Sequence, residues 1–267
     1  MKPEKELTSR PETSVKPVIR YPNLNFLDIL IKDRMLTDGM CVVCIDGKRG
    51  VGKTTLQEVV GGRREQLYPS LALPIRPLYL EMDLSLYRRY SRERSQEHSS
   101  YDFLRWNDFL SWTNNTAVIL KNKERGWVVM KPVYMRYLDD IPGYTGALEN
   151  PKGLTFRYRR EIPFPNPLIV ISGSFSHDPQ IINSFSNLTD PIRILIEASR
   201  ETQRHWIEIR RQKAPHRTRK EEITITNHDN KSWDWYGYHY KIREKAQLLV
   251  WARDGHFTFR MNKPINP

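Results

Sequence analysis

The chain has 267 residues, 39% hydrophobic and 11% aromatic, which is enough to bury a core and unlike the composition of a disordered protein. Lys and Arg total 43 against 31 Asp and Glu, a formal charge of +12, pointing to anionic partners such as nucleotides or nucleic acid. No run of 18 apolar residues occurs, so no membrane-spanning helix is expected.

Residues 1–20 are polar and proline-rich and read as a flexible tail, with no apolar stretch of signal-peptide length. Residues 21–267 read as one domain. After the tail, "NLNFLDILIKDRML" carries Leu24, Leu27, Leu30 and Ile31 at helical spacing. "MCVVCI" is a continuous apolar run, the pattern of a strand buried on both faces. Its cysteines, Cys41 and Cys44, lie three apart and so face opposite ways on a strand; no second pair completes a zinc site. Two buried, reduced thiols are expected, in keeping with a cytoplasmic location. "KTTLQEVVGGRREQLY" follows as a helix that Gly61 and Gly62 can interrupt.

"RPLYLEM" is a second buried strand, ending at Asp83. The segment from Leu84 to Lys123 is mainly helical, with a polar break near Ser95–Ser100. A Pro-rich turn leads into the third strand, "NPLIVISG", and "PIRILIEA" is the fourth. "SRETQRHWIEIRRQ" is a basic helix, and "KAQLLVWAR" and "HFTFRM" are late strands joined by a turn at Asp254-Gly255. Strands alternating with helices predict a mostly parallel sheet covered on both faces, a three-layer α/β/α fold.

Gly47-Lys48-Arg49-Gly50-Val51-Gly52-Lys53-Thr54 satisfies GxxxxGK[ST], with an apolar strand before it and a helix after it. Glycines let backbone N–H groups turn around a phosphate, and the positive end of the following helix meets the same anion. Lys53 is expected at the β and γ phosphates, the Thr54 hydroxyl on Mg²⁺, and Thr55 beside it in the cradle. The loop therefore predicts ATP and Mg²⁺ as cofactors.

The order of motifs resembles the uridine kinase/phosphoribulokinase family of P-loop kinases, particularly its divergent bacterial and phage-type members, over roughly residues 40–260. "CIDGKRGVGKTTL" looks like that family's first strand and loop, and "LYLEMDLSLYRRYSRER" like its second strand with a terminal Asp. "SSYDFLRWNDF" is similar to the stretch that introduces the acceptor helices, and "MKPVYMRYLDD" to a Pro-x-Tyr hairpin segment. "PIRILIEASRETQRHWIEIRRQ" resembles a strand and an arginine-bearing lid, here about residues 200–220, and "AQLLVWARDGHFTF" the final strand pair beside the adenine.

The resemblance implies a nucleoside-kinase-like fold and transfer of the γ-phosphate of ATP to a hydroxyl of a nucleoside or related small acceptor. It implies Asp83 as general base or Mg²⁺ ligand, the alternative being a helix cap. It places Tyr87, Asp102, Arg105 and Tyr134 at the acceptor; surface or core packing is the alternative for these. Arg204, Arg210 and Arg211 would meet the transferring phosphate, unless the segment is a solvated basic helix. Residues 200–220 hold eight Lys or Arg against two Glu.

The family's third strand ends in Glu-Gly, where this chain has Ser172-Gly173. Asp46 and Glu81 are the carboxylates placed to stand in for that Glu. The seven histidines show no metal-ligand spacing. Residues 227–240, "NHDNKSWDWYGYHY", form an aromatic cluster suited either to stacking unpaired bases or to a core edge near the nucleotide. Two other functions stay open: a kinase acting on a hydroxyl within nucleic acid, such as hydroxymethylated phage DNA, and a nucleotide-binding switch without transfer.

Overall fold

The computed structural model describes residues 25–62, 77–81, 106–123, 126–134, 155–162, 164–212, 219–253 and 256–262. Its main sheet has six strands in the order β2-β5-β1-β6-β7-β8. These are β1 (Cys41–Gly47), β2 (Pro77–Glu81), β5 (Leu168–Ser172), β6 (Ile192–Ala198), β7 (Leu248–Arg253) and β8 (His256–Met261). All pair in parallel except β8, which runs antiparallel to β7. A separate antiparallel pair, β3 (Trp127–Tyr134) and β4 (Thr155–Glu161), precedes β5 in the chain. Sequence patterning showed only part of that pair, through the hairpin-like segment around Tyr134.

The helices are α1 (Asn25–Asp38), α2 (Lys53–Gly62), α3 (Trp106–Asn122), α4 (Pro179–Phe185), α5 (Arg200–Gln212), α6 (Arg219–His239) and α7 (Ile242–Lys245). Two apolar layers enclose the sheet. On one face Leu27, Leu30 and Ile31 of α1 and Leu56 of α2 pack with Cys41, Val43 and Ile45. On the other, Phe109 and Trp112 of α3, Phe185 of α4 and Tyr236 of α6 pack with Val42 and Cys44. The alternation along β1 is the period of two that the sequence predicts, and it sends the two cysteines into different layers. Both thiols are free and buried, and burial holds the Cys44 thiol well above the usual range.

α4 is short, and local chemistry starts it: Asp178 caps the helix by accepting from Gln180 N at 2.8 Å, with Pro179 at the first helical position. No helix among the described residues is long and apolar enough to cross a membrane.

Candidate active site at the phosphate loop

The loop leaves the carboxyl end of β1, a central strand. The chain runs from β1 outward to β2, whereas its neighbour β5 leads across to β6 on the other side. That reversal is the switch point at which open α/β sheets bind ligands. Gly50 and Gly52 hold φ of +75° and +93°, conformations that favour glycine. The backbone is also pressed from outside. A Cβ on Gly47 would lie 2.6 Å from the Ile196 carbonyl oxygen, and one on Gly50 would lie 2.7 Å from Ile207 Cγ1. The loop therefore needs glycine for space as well as for φ.

Lys53 opens α2 and folds back over the loop. Its ammonium donates to the carbonyls of Gly47 and Lys48, each at 2.8 Å, and lies 3.3 Å from Ser174 Oγ. Thr54, in the first turn of α2, is exposed, and Thr55 is half-buried. A single hydroxyl beside bound phosphates suits Mg²⁺, which keeps several waters and needs few protein ligands. Thr54 fits that demand. Among the described residues no group of three His, Cys, Asp or Glu could hold a metal without a phosphate.

The second and third loop residues are held by α6. Lys48 Nζ lies 2.5 Å from Asp234 Oδ1 and 5.5 Å above the Trp233 ring. Arg49 Nη1 pairs with Asp229 at 3.1 Å. Gln203 of α5 donates to the Arg49 carbonyl and to Asn230 of α6, tying both helices to the loop. In the region expected as a lid, about residues 200–220, the described residues are α5, docked on the loop through Gln203, and the first two residues of α6. Arg204 is exposed on α5; Arg210 and Arg211 lie in the same helix, but their side chains are outside the description.

Asp46 does not stand in for the absent Glu. It is fully buried beneath the loop, on the α6 side of β1. Oδ1 accepts from the backbone N–H of Gly47 (2.6 Å) and Phe175 (3.2 Å) and from Trp233 Nε1 (2.9 Å). Oδ2 accepts from His177 N (3.0 Å) and Tyr236 OH (2.8 Å). Its donors come from three segments, so Asp46 is a structural hub. Ser172 is also committed: its hydroxyl bonds Gln57 of α2 in a buried pair. Glu81 pairs in register with Ser172, which sets its backbone beside the end of β5.

His177 is buried with Nε2 at 3.1 Å from the Cys44 carbonyl; burial pushes its pKa below the ordinary 6.5. Asp83, Tyr87, Asp102 and Arg105 lie outside the described residues. Tyr134 closes β3, with its side chain undescribed. The aromatic cluster divides along α6: Tyr236 is core and Trp233 part of the hub, whereas Trp235 and Tyr238 are exposed. Sequence reading missed Ser174, Gln203, Asp229 and Asp234. For Asp229, the signal was its helical spacing, four and seven residues, with Trp233 and Tyr236.

A mostly parallel sheet with this loop at the end of its central strand defines a three-layer α/β fold of the P-loop kinase type. Solved structures share it at low identity. A candidate fructose transport system kinase from Silicibacter sp. TM1040 matches with TM-score 0.52 and 12% identity, covering 80% of this chain and 94% of the other. The YGR205w protein matches with TM-score 0.51 and 12% identity, covering 90% and 97%. Likeness at this identity is likeness of fold, and it does not single out the uridine kinase family. No family model matches the chain, and no curated protein does.

Proposed function

We propose that the protein is an ATP-dependent phosphotransferase that moves the γ-phosphate to a hydroxyl of a nucleoside or related small acceptor. The observation that carries this reading is the loop Gly47–Thr54 at the switch point, with the Lys53 ammonium folded over it at 2.8 Å from two loop carbonyls. The kinase-type fold of the structural neighbours supports it. Lys53 would neutralise the β and γ phosphates, and Gly47, Lys48, Arg49, Gly50, Val51, Gly52 and Thr55 would line the cradle. Thr54, with Asp83, would hold Mg²⁺, which supplies charge neutralisation and orientation when bound. Asp83 would also orient the acceptor hydroxyl or take its proton. Tyr87, Asp102, Arg105 and Tyr134 are the acceptor-side candidates. Arg204, Arg210 and Arg211 would stabilise charge on the transferring group.

A second reading, a hydroxyl within nucleic acid as acceptor, is favoured by one observation. Trp235 and Tyr238 of α6 are exposed, and so are Lys241 and Lys245, which follow in the chain. Incubation with γ-labelled ATP and two acceptor pools, free nucleosides and polymeric DNA, separates the readings. Label on the nucleosides supports the first and label on DNA the second. ATP binding with no label on either leaves a nucleotide switch.

A further inference from the structure

The Lys53 ammonium, with three donors, reaches the carbonyls of Gly47 and Lys48 and the Ser174 hydroxyl. To meet a phosphate it must give up at least one of the three. The Gly47 carbonyl takes two side-chain donors: Lys53 Nζ at 2.8 Å and the Ser174 hydroxyl at 3.1 Å. Gly47 is buried, so a carbonyl stripped of both would be costly. Ser174 is half-buried and lies two residues beyond the end of β5, beside the loop yet outside its motif. A hydroxyl carries one proton and two lone pairs. Here the proton goes to Gly47, and a lone pair faces Lys53 at 3.3 Å.

We propose that Ser174 is a positioning residue for nucleotide binding. It keeps the Gly47 carbonyl bonded when Lys53 swings to the phosphate, and so lowers the cost of releasing that ammonium. Asp46 sets Ser174 in place. On one side of the serine, Gly173 N donates to the Ile45 carbonyl at 3.1 Å. On the other, the N–H groups of Phe175 and His177 are held by the two oxygens of Asp46. Phe175 has φ of +91°, a strained conformation for a bulky L-residue. Such strain persists only where surroundings over-determine it. Here Asp46 holds the N–H, and the ring packs edge-on against Tyr236 with centroids 4.9 Å apart. The neighbouring Ser172, at the position where an acidic residue was expected, is turned to Gln57 and cannot take this role.

This inference rests on the nucleotide reading above, and its test separates the two. ATP affinity is measured by calorimetric titration for wild type, Ser174→Ala, Ser174→Thr and Lys53→Ala, with melting curves confirming that each is folded. Ser174→Ala is expected to weaken ATP binding on the order of fivefold or more, the effect of losing one hydrogen bond to a buried carbonyl. Ser174→Thr, which keeps the hydroxyl, should restore most of the affinity. Asp46→Asn should also weaken binding, and adding it to Ser174→Ala should weaken it little further, because Asp46 acts through Ser174. If Asp46→Asn does not fold, Tyr236→Phe, which removes one of the hub's donors, takes its place in the cycle. Equal affinity in wild type and Ser174→Ala overturns the role of Ser174 and leaves the loop reading standing. Fully additive losses overturn the role of Asp46. A wild type that binds no ATP overturns both the inference and the reading beneath it.

Discussion

Gly50→Ala should destabilise the protein by about 2–5 kcal/mol, and the structure divides that figure into two parts. The first is conformational. Gly50 sits at φ +75°, and an L-residue in the left-handed region costs roughly 1–2 kcal/mol. The second is steric. The new Cβ would lie 2.7 Å from Cγ1 and 3.1 Å from Cδ1 of Ile207, so α5 would have to move. Overpacking of this kind typically costs about 1–3 kcal/mol. Ile207→Ala removes both offending atoms but leaves the backbone conformation unchanged. The double variant should therefore be more stable than the sum of the single changes by about 1–3 kcal/mol. Urea unfolding of the four proteins, compared at constant slope, measures this directly. Additivity within about 0.5 kcal/mol would refute the claim that α5 is docked on the loop through Ile207 and Gly50.

Three further outcomes are expected. Tyr236→Phe keeps the buried ring but loses the 2.8 Å bond to Asp46, which should cost about 1.5–3 kcal/mol in urea unfolding; an unchanged midpoint would remove Tyr236 from the hub. His177 is held neutral by burial, below its ordinary 6.5, so the unfolded chain takes up a proton first as pH falls through that value. Its contribution is therefore complete above about pH 6.5 and declines below it; stability should fall more between pH 7.5 and 5.5 in wild type than in His177→Gln, and parallel losses would contradict this assignment. If DNA is the acceptor, its binding should weaken steeply between about 50 and 200 mM salt, with a log–log slope of about −0.7 to −0.9 per phosphate contact; a flat response would favour the small acceptor.

The fold was legible where the sequence carries a strong local pattern. Continuous apolar runs marked β1, β5 and β6, because a parallel strand buried on both faces has no polar side to interrupt it. The loop was legible because phosphate cradles demand glycine and lysine at fixed offsets. α6 was not recognised as a helix. Its aromatic residues spread around the helix, with Tyr236 inward and Trp235 and Tyr238 outward, so no clean apolar stripe emerged. Asp46, which adjoins the loop in sequence, is with Glu81 the expected stand-in for the missing Glu. Strand alternation instead turns it beneath the loop, toward α6. Ser174 was not legible at all. Its role depends on the Gly47 carbonyl lying within 3.1 Å, a contact 127 positions apart in the chain.

The central claim is that the loop holds ATP for transfer of its γ-phosphate, and γ-phosphate release or transfer by wild type and Lys53→Ala at saturating ATP tests it most directly. Loss of a charge contact made in the transition state should lower the rate by on the order of a hundredfold or more, about 3–4 kcal/mol. The variant should still fold, because Lys53 lies outside both apolar layers, with a melting temperature lowered only through loss of its bonds to the Gly47 and Lys48 carbonyls. A folded Lys53→Ala protein that turns over ATP at the wild-type rate would contradict the account.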